Sequence, residues 1–323
     1  MRMRFSMRRE IQVAYQRYGK EMMAGKTKMA PGRLCMERKI RPGDKVGIVC
    51  CSNGWKREKN KQIRLQEALL KIPLTPVFSP YIFEREGVES GSAAQRAQAL
   101  MDFYRDDSIQ TIFDISGGDI ANGILPYLDY EMIAAGDKLF WGYSDLTAVI
   151  NAIYTKTGKA SVLYQICNLL YEHGEEQQKS VRDAIFGKGE ALFTFPYEFL
   201  QGDKMEGVVA GGNVRCFLKL AGTPYFPDLT DKILLLESLG GTVAQMLTYF
   251  SQLQQLGAFE NVKGILLGTF TQMEQERCRP DVWTLLKRFI EPSLPVARTA
   301  YIGHGTDARA IMVGEYRRFE GKD

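Results

Sequence analysis

The stretch GYSDLT, residues 142–147, places a serine at a corner with an aspartate directly behind it. A serine where an apolar run gives way to a helical pattern can do one of two things. It can cap the helix through its hydroxyl. Or it can present that hydroxyl as a nucleophile, with the following amides facing an oxyanion formed on an attacked carbonyl. The nucleophile elbow is usually written G-x-S-x-G, and here the run is Gly142-Tyr143-Ser144-Asp145-Leu146, without the last glycine. A nucleophilic serine needs an imidazole to take and return its proton, and the chain has two histidines. His173 lies in the polar stretch YEHGEEQQKS, where a solvated ring is the ordinary expectation. His304 lies in YIGHGTD between two glycines. Those glycines permit a tight turn that brings an imidazole into a crevice, or merely one that bonds the ring to backbone. Glu237 ends the apolar run KILLLES, a costly place for a charge without a partner. A solvated carboxylate at a strand end is the plainer alternative. The order Ser144, Glu237, His304 is one of several in which a nucleophile, base and acid can meet.

These residues need elements that bring them together. From Asp44 the sequence becomes regular. KVGIVCC, LTPVFSPYI, TIFDIS and KLFWGY are predicted strands, and helical patterns follow them in NKQIRLQEALLKI, SAAQRAQALMDFYRDD, ANGILPYLDYEMIAAG and LTAVINAIYTKTG. Strands alternating with helices imply parallel βαβ units and a flavodoxin-like open sheet, covered on both faces. Ligands of such sheets bind beyond the carboxyl ends of the strands. Gly117-Gly118 and Gly142-Tyr143-Ser144 both fall at such ends, so both loops should open onto one crevice. Residues 187–205 change character and read as a linker. Beyond them, VVAGGNVRCFLKLAGTPYFPDL, KILLLES, TVAQMLTYFSQLQQLG and KGILLGTF suggest a smaller mixed α/β domain. The expected organisation is a basic extension over 1–41, an α/β domain with the serine over 42–186, the linker, and a C-terminal domain over 206–323 with the glutamate and histidine.

Composition narrows the function classes. Hydrophobic residues make up 45% and charged residues 25%, as in an ordinary globular protein. No apolar run approaches the roughly 18 residues of a membrane span. Nine Lys and Arg against Glu10 and Glu21 make the first 33 residues strongly basic, which leaves the remainder slightly acidic. No general basic face for nucleic acid results. The basic arm lacks the apolar core of a secretory signal and is expected to be a poorly ordered extension without a catalytic part. Six cysteines without C-x-x-C spacing point to buried thiols in a reducing cytoplasm, and two histidines argue against a metal centre.

Several blocks in order carry a resemblance that spacing does not show: GDKVGIVCCSNG, SGGDIANGILPYLDYEMI, KLFWGYSDLTAVINAIY, GGNVRCFLKLAGTPYFPDL, KILLLES, LTYFSQLQQLGAFENVKGILLGTF and LPVARTAYIGHG. From about residue 42 to residue 313 the chain resembles the LD-carboxypeptidase family of serine peptidases, which includes the microcin C immunity peptidases. The resemblance implies a triad of Ser144, Glu237 and His304, with an oxyanion hole from the backbone amides of Gly118 and Asp145. It implies a serine LD-carboxypeptidase of the cytoplasm that needs no metal or organic cofactor and trims a muropeptide tetrapeptide at its L,D amide bond. A homodimer is implied as well. The glycine turn Ser116-Gly117-Gly118-Asp119-Ile120 departs from the Arg-Gly-Gly-Tyr-Gly of many members and leans towards the immunity peptidases. Where the family often has a Gly-Pro turn, this chain reads SVLYQICNLL, which bears on the pocket wall near 161–170. An immunity-type enzyme cleaving aminoacyl-nucleotide amides would need an aromatic face, with Trp55, Trp141 and Trp283 available. A non-catalytic protein holding a small anion at its helix ends is the rival from another class.

Overall fold

The computed structural model describes residues 28–30, 39–58 and 60–321. The basic arm lies mostly outside the described residues, as does Cys35. The first strand is β1 (Lys28–Ala30). Then follow β2 (Lys45–Val49), α1 (Lys61–Lys71), β3 (Thr75–Phe78), α2 (Ala93–Arg105) and β4 (Ile109–Asp114). A short 3-10 helix (Ala121–Tyr127) and α3 (Tyr130–Ala135) lead to β5 (Leu139–Gly142). Beyond it come α4 (Thr147–Thr157), β6 (Ser161–Leu163) and α5 (Gly174–Ile185).

In the first sheet β3, β2, β4, β5 and β6 lie side by side in that order, all parallel. Counted from β2 this is the order 2-1-3-4-5, the flavodoxin-like arrangement expected from the alternating pattern. Both faces are covered, so burial runs along a strand rather than alternating, as in β4, where every residue but Gln110 is buried. Ile109, Ile112 and Phe113 of β4 are fully buried. The helices are placed by their own signals. Ser92 and Gln95 form a reciprocal capping box that starts α2, which buries Ala97, Leu100, Met101 and Tyr104. α4 stops at Gly158, whose φ of 71° suits a residue without a Cβ.

The second half begins inside the stretch expected to be a linker, because Phe195–Gln201 forms β7. Next come β8 (Lys204–Asn213), α6 (Val214–Leu218), β9 (Lys232–Ser238), α7 (Val243–Gln255) and β10 (Gly264–Phe270). Two short helices, α8 (Thr271–Gln275) and α9 (Val282–Leu286), precede β11 (Val296–Arg298), β12 (Ile311–Val313) and β13 (Tyr316–Glu320). The second sheet has seven strands in the order β1-β7-β11-β10-β9-β8-β13. Its β8, β9, β10 and β11 are parallel, and the outer strands run antiparallel. β12 belongs to neither neighbour in sequence. It returns to the first sheet and pairs antiparallel with β6. One apolar cluster packs on a single face of the first sheet around Ile48, Trp141 and Met312. The other runs without a break from α2 and α4 into the core of the second sheet. Among the described residues no helix is long and apolar enough to cross a membrane.

Candidate active site

Ser144 lies one residue beyond β5, past Tyr143, and opens a short 3-10 turn (Ser144–Leu146) that runs into α4. Its φ is 53°, a left-handed conformation that few non-glycine residues adopt. Strain of this kind at the end of a strand lifts a side chain out of the sheet edge. Ser144 makes no cap bond to α4, and the plain reading of it as a helix cap falls away.

The partners arrive from the second half. Glu237 sits near the end of β9 with 1% of its surface exposed. His304 follows β11, and its side chain is 8% exposed. His304 Nδ1 lies 2.8 Å from Glu237 Oε2, and His304 Nε2 lies 3.1 Å from Ser144 Oγ. An ionised carboxylate can only accept, so Nδ1 carries the hydrogen and the Nε2 lone pair faces the serine hydroxyl. Glycine is required just before the histidine. Gly303 has φ 147°, and a Cβ there would lie 1.9 Å from Thr269 Oγ1.

Two neighbours of the relay had no sequence signal. Asn213 Nδ2 donates to Glu237 Oε1 at 3.0 Å, so both oxygens of the buried carboxylate are engaged. Tyr143 lays its ring against His304, with centroids 4.5 Å apart. Burial, with Glu237 and Tyr171 adding to it, pushes the Tyr143 phenol well up, so it adds no charge beside the relay. The Gly-Asn of GGNVR could have flagged a strand end, but nothing in one sequence ties it to Glu237.

The glycine turn lies where the open-sheet rule places it. A Cβ on Gly117 would be 3.9 Å from the Ser144 Cβ. Gly118 has φ 125°, and any side chain there would collide with Asn53, at 2.2 Å from its Cγ. The Gly118 carbonyl accepts from Arg215 Nη2 at 3.0 Å, and Asn53 Oδ1 accepts the Asp119 N–H at 3.0 Å. The Gly118 N–H donates to no group among the described residues.

His173 departs from the sequence expectation. It is half-buried, and its Nδ1 lies 2.9 Å from Thr306 Oγ1. With Asn168, which donates to Gly305 O, and Gln177, which donates to Thr306 O and Ala308 O, it fastens the loop behind His304. The tryptophans do not offer the aromatic face the immunity-type reading asked of them. Trp141 is fully buried between Phe113, Tyr164 and Phe193. The Trp55 indole is 6% exposed and donates to Ile115 O, and Trp283 packs on the second core under Lys287. Among the described residues no three His, Cys, Asp or Glu side chains cluster as a metal site requires.

Known proteins share this arrangement of halves. Residues 46–164 match the LD-carboxypeptidase N-terminal domain, and residues 206–318 match the LD-carboxypeptidase C-terminal domain. A probable murein peptide carboxypeptidase of Bacillus subtilis (strain 168) is 25% identical over 287 residues, covering 85% of this chain and 88% of that protein. The microcin C7 self-immunity protein MccF of Escherichia coli is 26% identical over 261 residues, 70% of this chain and 75% of its own. A solved MccF-like protein from Bacillus anthracis superposes with a TM-score of 0.78 at 26% identity, covering 90% of this chain and 97% of that one. With both domain patterns matched in order, the chain belongs to the LD-carboxypeptidase family of peptidases.

Proposed function

We propose that the protein is a serine carboxypeptidase that hydrolyses the amide bond beside a free carboxylate in a small peptide, with Ser144, His304 and Glu237 as its catalytic triad. The continuous relay from Glu237 through His304 to Ser144, at 2.8 and 3.1 Å, carries the reading. His304 Nε2 takes the hydroxyl proton as Ser144 Oγ attacks the carbonyl carbon. Glu237 stays ionised and holds the imidazolium. The carbonyl oxygen becomes an oxyanion facing the N–H groups of Gly118 and Asp145, each such donor lowering the barrier by about 2.7–4 kcal/mol. The amides at the start of the helical segment add their partial positive charge. His304 then protonates the leaving amine, and the acyl group remains on Ser144 as an ester. A water molecule gives its proton to His304 and attacks that ester. The acid departs, and Ser144 recovers its hydrogen.

The murein peptide carboxypeptidase among the relatives suggests a muropeptide tetrapeptide cut between its L and D centres. Such a substrate fits a cytoplasmic enzyme of peptidoglycan recycling that needs no cofactor, and the family resemblance suggests a homodimer. Similarity to MccF supports a second reading, an aminoacyl-nucleotide amide as substrate. That reading needs an aromatic platform from residues other than the three tryptophans. Purified protein and its Ser144→Ala variant should be assayed side by side on a muropeptide tetrapeptide and on an aspartyl-nucleotide amide. The triad reading requires the variant to lose hydrolysis of whichever substrate the parent cleaves. A variant as fast as the parent refutes it.

A further inference from the structure

The two N–H groups that would face the oxyanion belong to different loops, Gly118 after β4 and Asp145 after β5. They can converge on one atom only if the loops are held in register. The Asp145 side chain is fully buried between them. Its Oδ2 accepts the Ala121 N–H at 2.8 Å, just past the glycine turn, and the Ser52 hydroxyl at 2.6 Å, from the loop after β2. Its Oδ1 is paired with Lys219 Nζ, which follows α6 in the second half of the molecule. The same Nζ donates to the Asp119 carbonyl at 2.8 Å. Three loops at the carboxyl edge of the first sheet and a segment of the second domain therefore meet on one carboxylate.

From this geometry we propose that the Asp145 side chain, braced by Ser52 and Lys219, is a positioning group that locks the Gly117–Gly118 turn onto the nucleophile elbow. The proposal rests on the serine-hydrolase reading. One residue then has two parts in the oxyanion hole, its backbone supplying one donor and its carboxylate fixing the loop that supplies the other. Lys219 has a second effect. A bare carboxylate beside a forming oxyanion would oppose it, and the ammonium group offsets that charge in a site of low dielectric. Because Lys219 comes from beyond the domain boundary, the hole is complete only when the two domains are packed together.

The test uses Ser52→Ala, Asp145→Asn, Lys219→Met and the conservative Lys219→Arg in the full chain. Displacing a donor by a fraction of an ångström should reduce kcat on a muropeptide tetrapeptide roughly 10- to 100-fold. KM should stay within about a factor of two, because the hole acts on the transition state. Lys219→Arg should recover part of the loss. A fluorophosphonate, whose adduct on Ser144 places an oxygen in the hole, should react with the variants more slowly in the same proportion. If Asp145→Asn does not fold, Ser52→Ala and Lys219→Met decide. Folded variants with parental kcat and parental labelling rates overturn the inference, as does a rise in KM at unchanged kcat. The underlying reading fails separately, if the parent's Ser144 does not react with the fluorophosphonate or if Ser144→Ala hydrolyses like the parent.

Discussion

Asn213 and Glu237 stand opposite each other on the adjacent parallel strands β8 and β9, and the amide of one donates to the carboxylate of the other at 3.0 Å. The strand register therefore fixes the rotamer of a buried acid whose second oxygen holds His304. Replacing Asn213 with alanine removes a hydrogen bond to a charged group, worth about 1.5–3 kcal/mol. We expect kcat to fall roughly 10- to 100-fold if that loss appears in the transition state. Asn213 Oδ1 also caps α6 at the Cys216 N–H, so thermal unfolding should show a cost of about 1 kcal/mol. Steady-state kinetics and melting curves together separate the two effects.

The residues of the proposed triad should behave as one unit. Glu237→Gln keeps the size of the side chain but no longer stabilises the imidazolium, and should lower kcat roughly 10⁴-fold by analogy with other serine hydrolases. Ser144→Ala and His304→Ala should each be as damaging as the double variant. Losses that multiply in the double variant would show that the two groups act independently.

Gly118→Ala meets two obstacles, the left-handed backbone with φ 125° and the collision with Asn53. The strain alone costs on the order of 1–3 kcal/mol. Shortening Asn53 to alanine in the same chain removes the collision and leaves the strain, so the pair should recover stability only in part. Activity should stay depressed in the pair, since the Asn53 Oδ1 that accepts the Asp119 N–H is gone as well. Melting temperature and kcat for the single and paired variants check this.

The cysteines give a test without mutation. Burial pushes the thiols of Cys50 and Cys51 well up, and those of Cys167 and Cys216 up to about 12. Alkylation needs the thiolate, whose share at pH 8 falls as the pKa rises. Native protein treated with iodoacetamide at pH 8 should be modified at the partly exposed Cys278 and spared at those four. Peptide mass mapping before and after denaturation reads the difference.

The alternation of strands and helices revealed β2 to β5 of the first sheet, because each of those strands is followed by a helical pattern long enough to read. Ser144 and Glu237 were nameable because each sits in a short motif at or just past a strand end, and His304 because it stands between two glycines. What escaped has no local period. The strands β6 and β12 are three residues each, too short to stand out as apolar runs. The tie from Asn213 to Glu237, the anchoring of the His304 loop by His173 and Gln177, and the contacts of the Asp145 carboxylate all join residues far apart in the chain. Such pairs depend on strand order and on how the two sheets pack, and neither leaves a spacing to read. Asp145 was visible only through its backbone, since an acid after a serine also suits a helix start.

The return of β12 to the first sheet has a consequence for modularity. His304 stands on the span between β11 of one sheet and β12 of the other, and after Gly314 the chain goes back at once to β13 in the second sheet. A fragment ending before residue 187 would leave β6 as a raw border open to any passing strand. The two halves matched by separate family patterns are thus not interchangeable parts. A chimera that took its second half from a distant cousin would have to import the staple that seals the first.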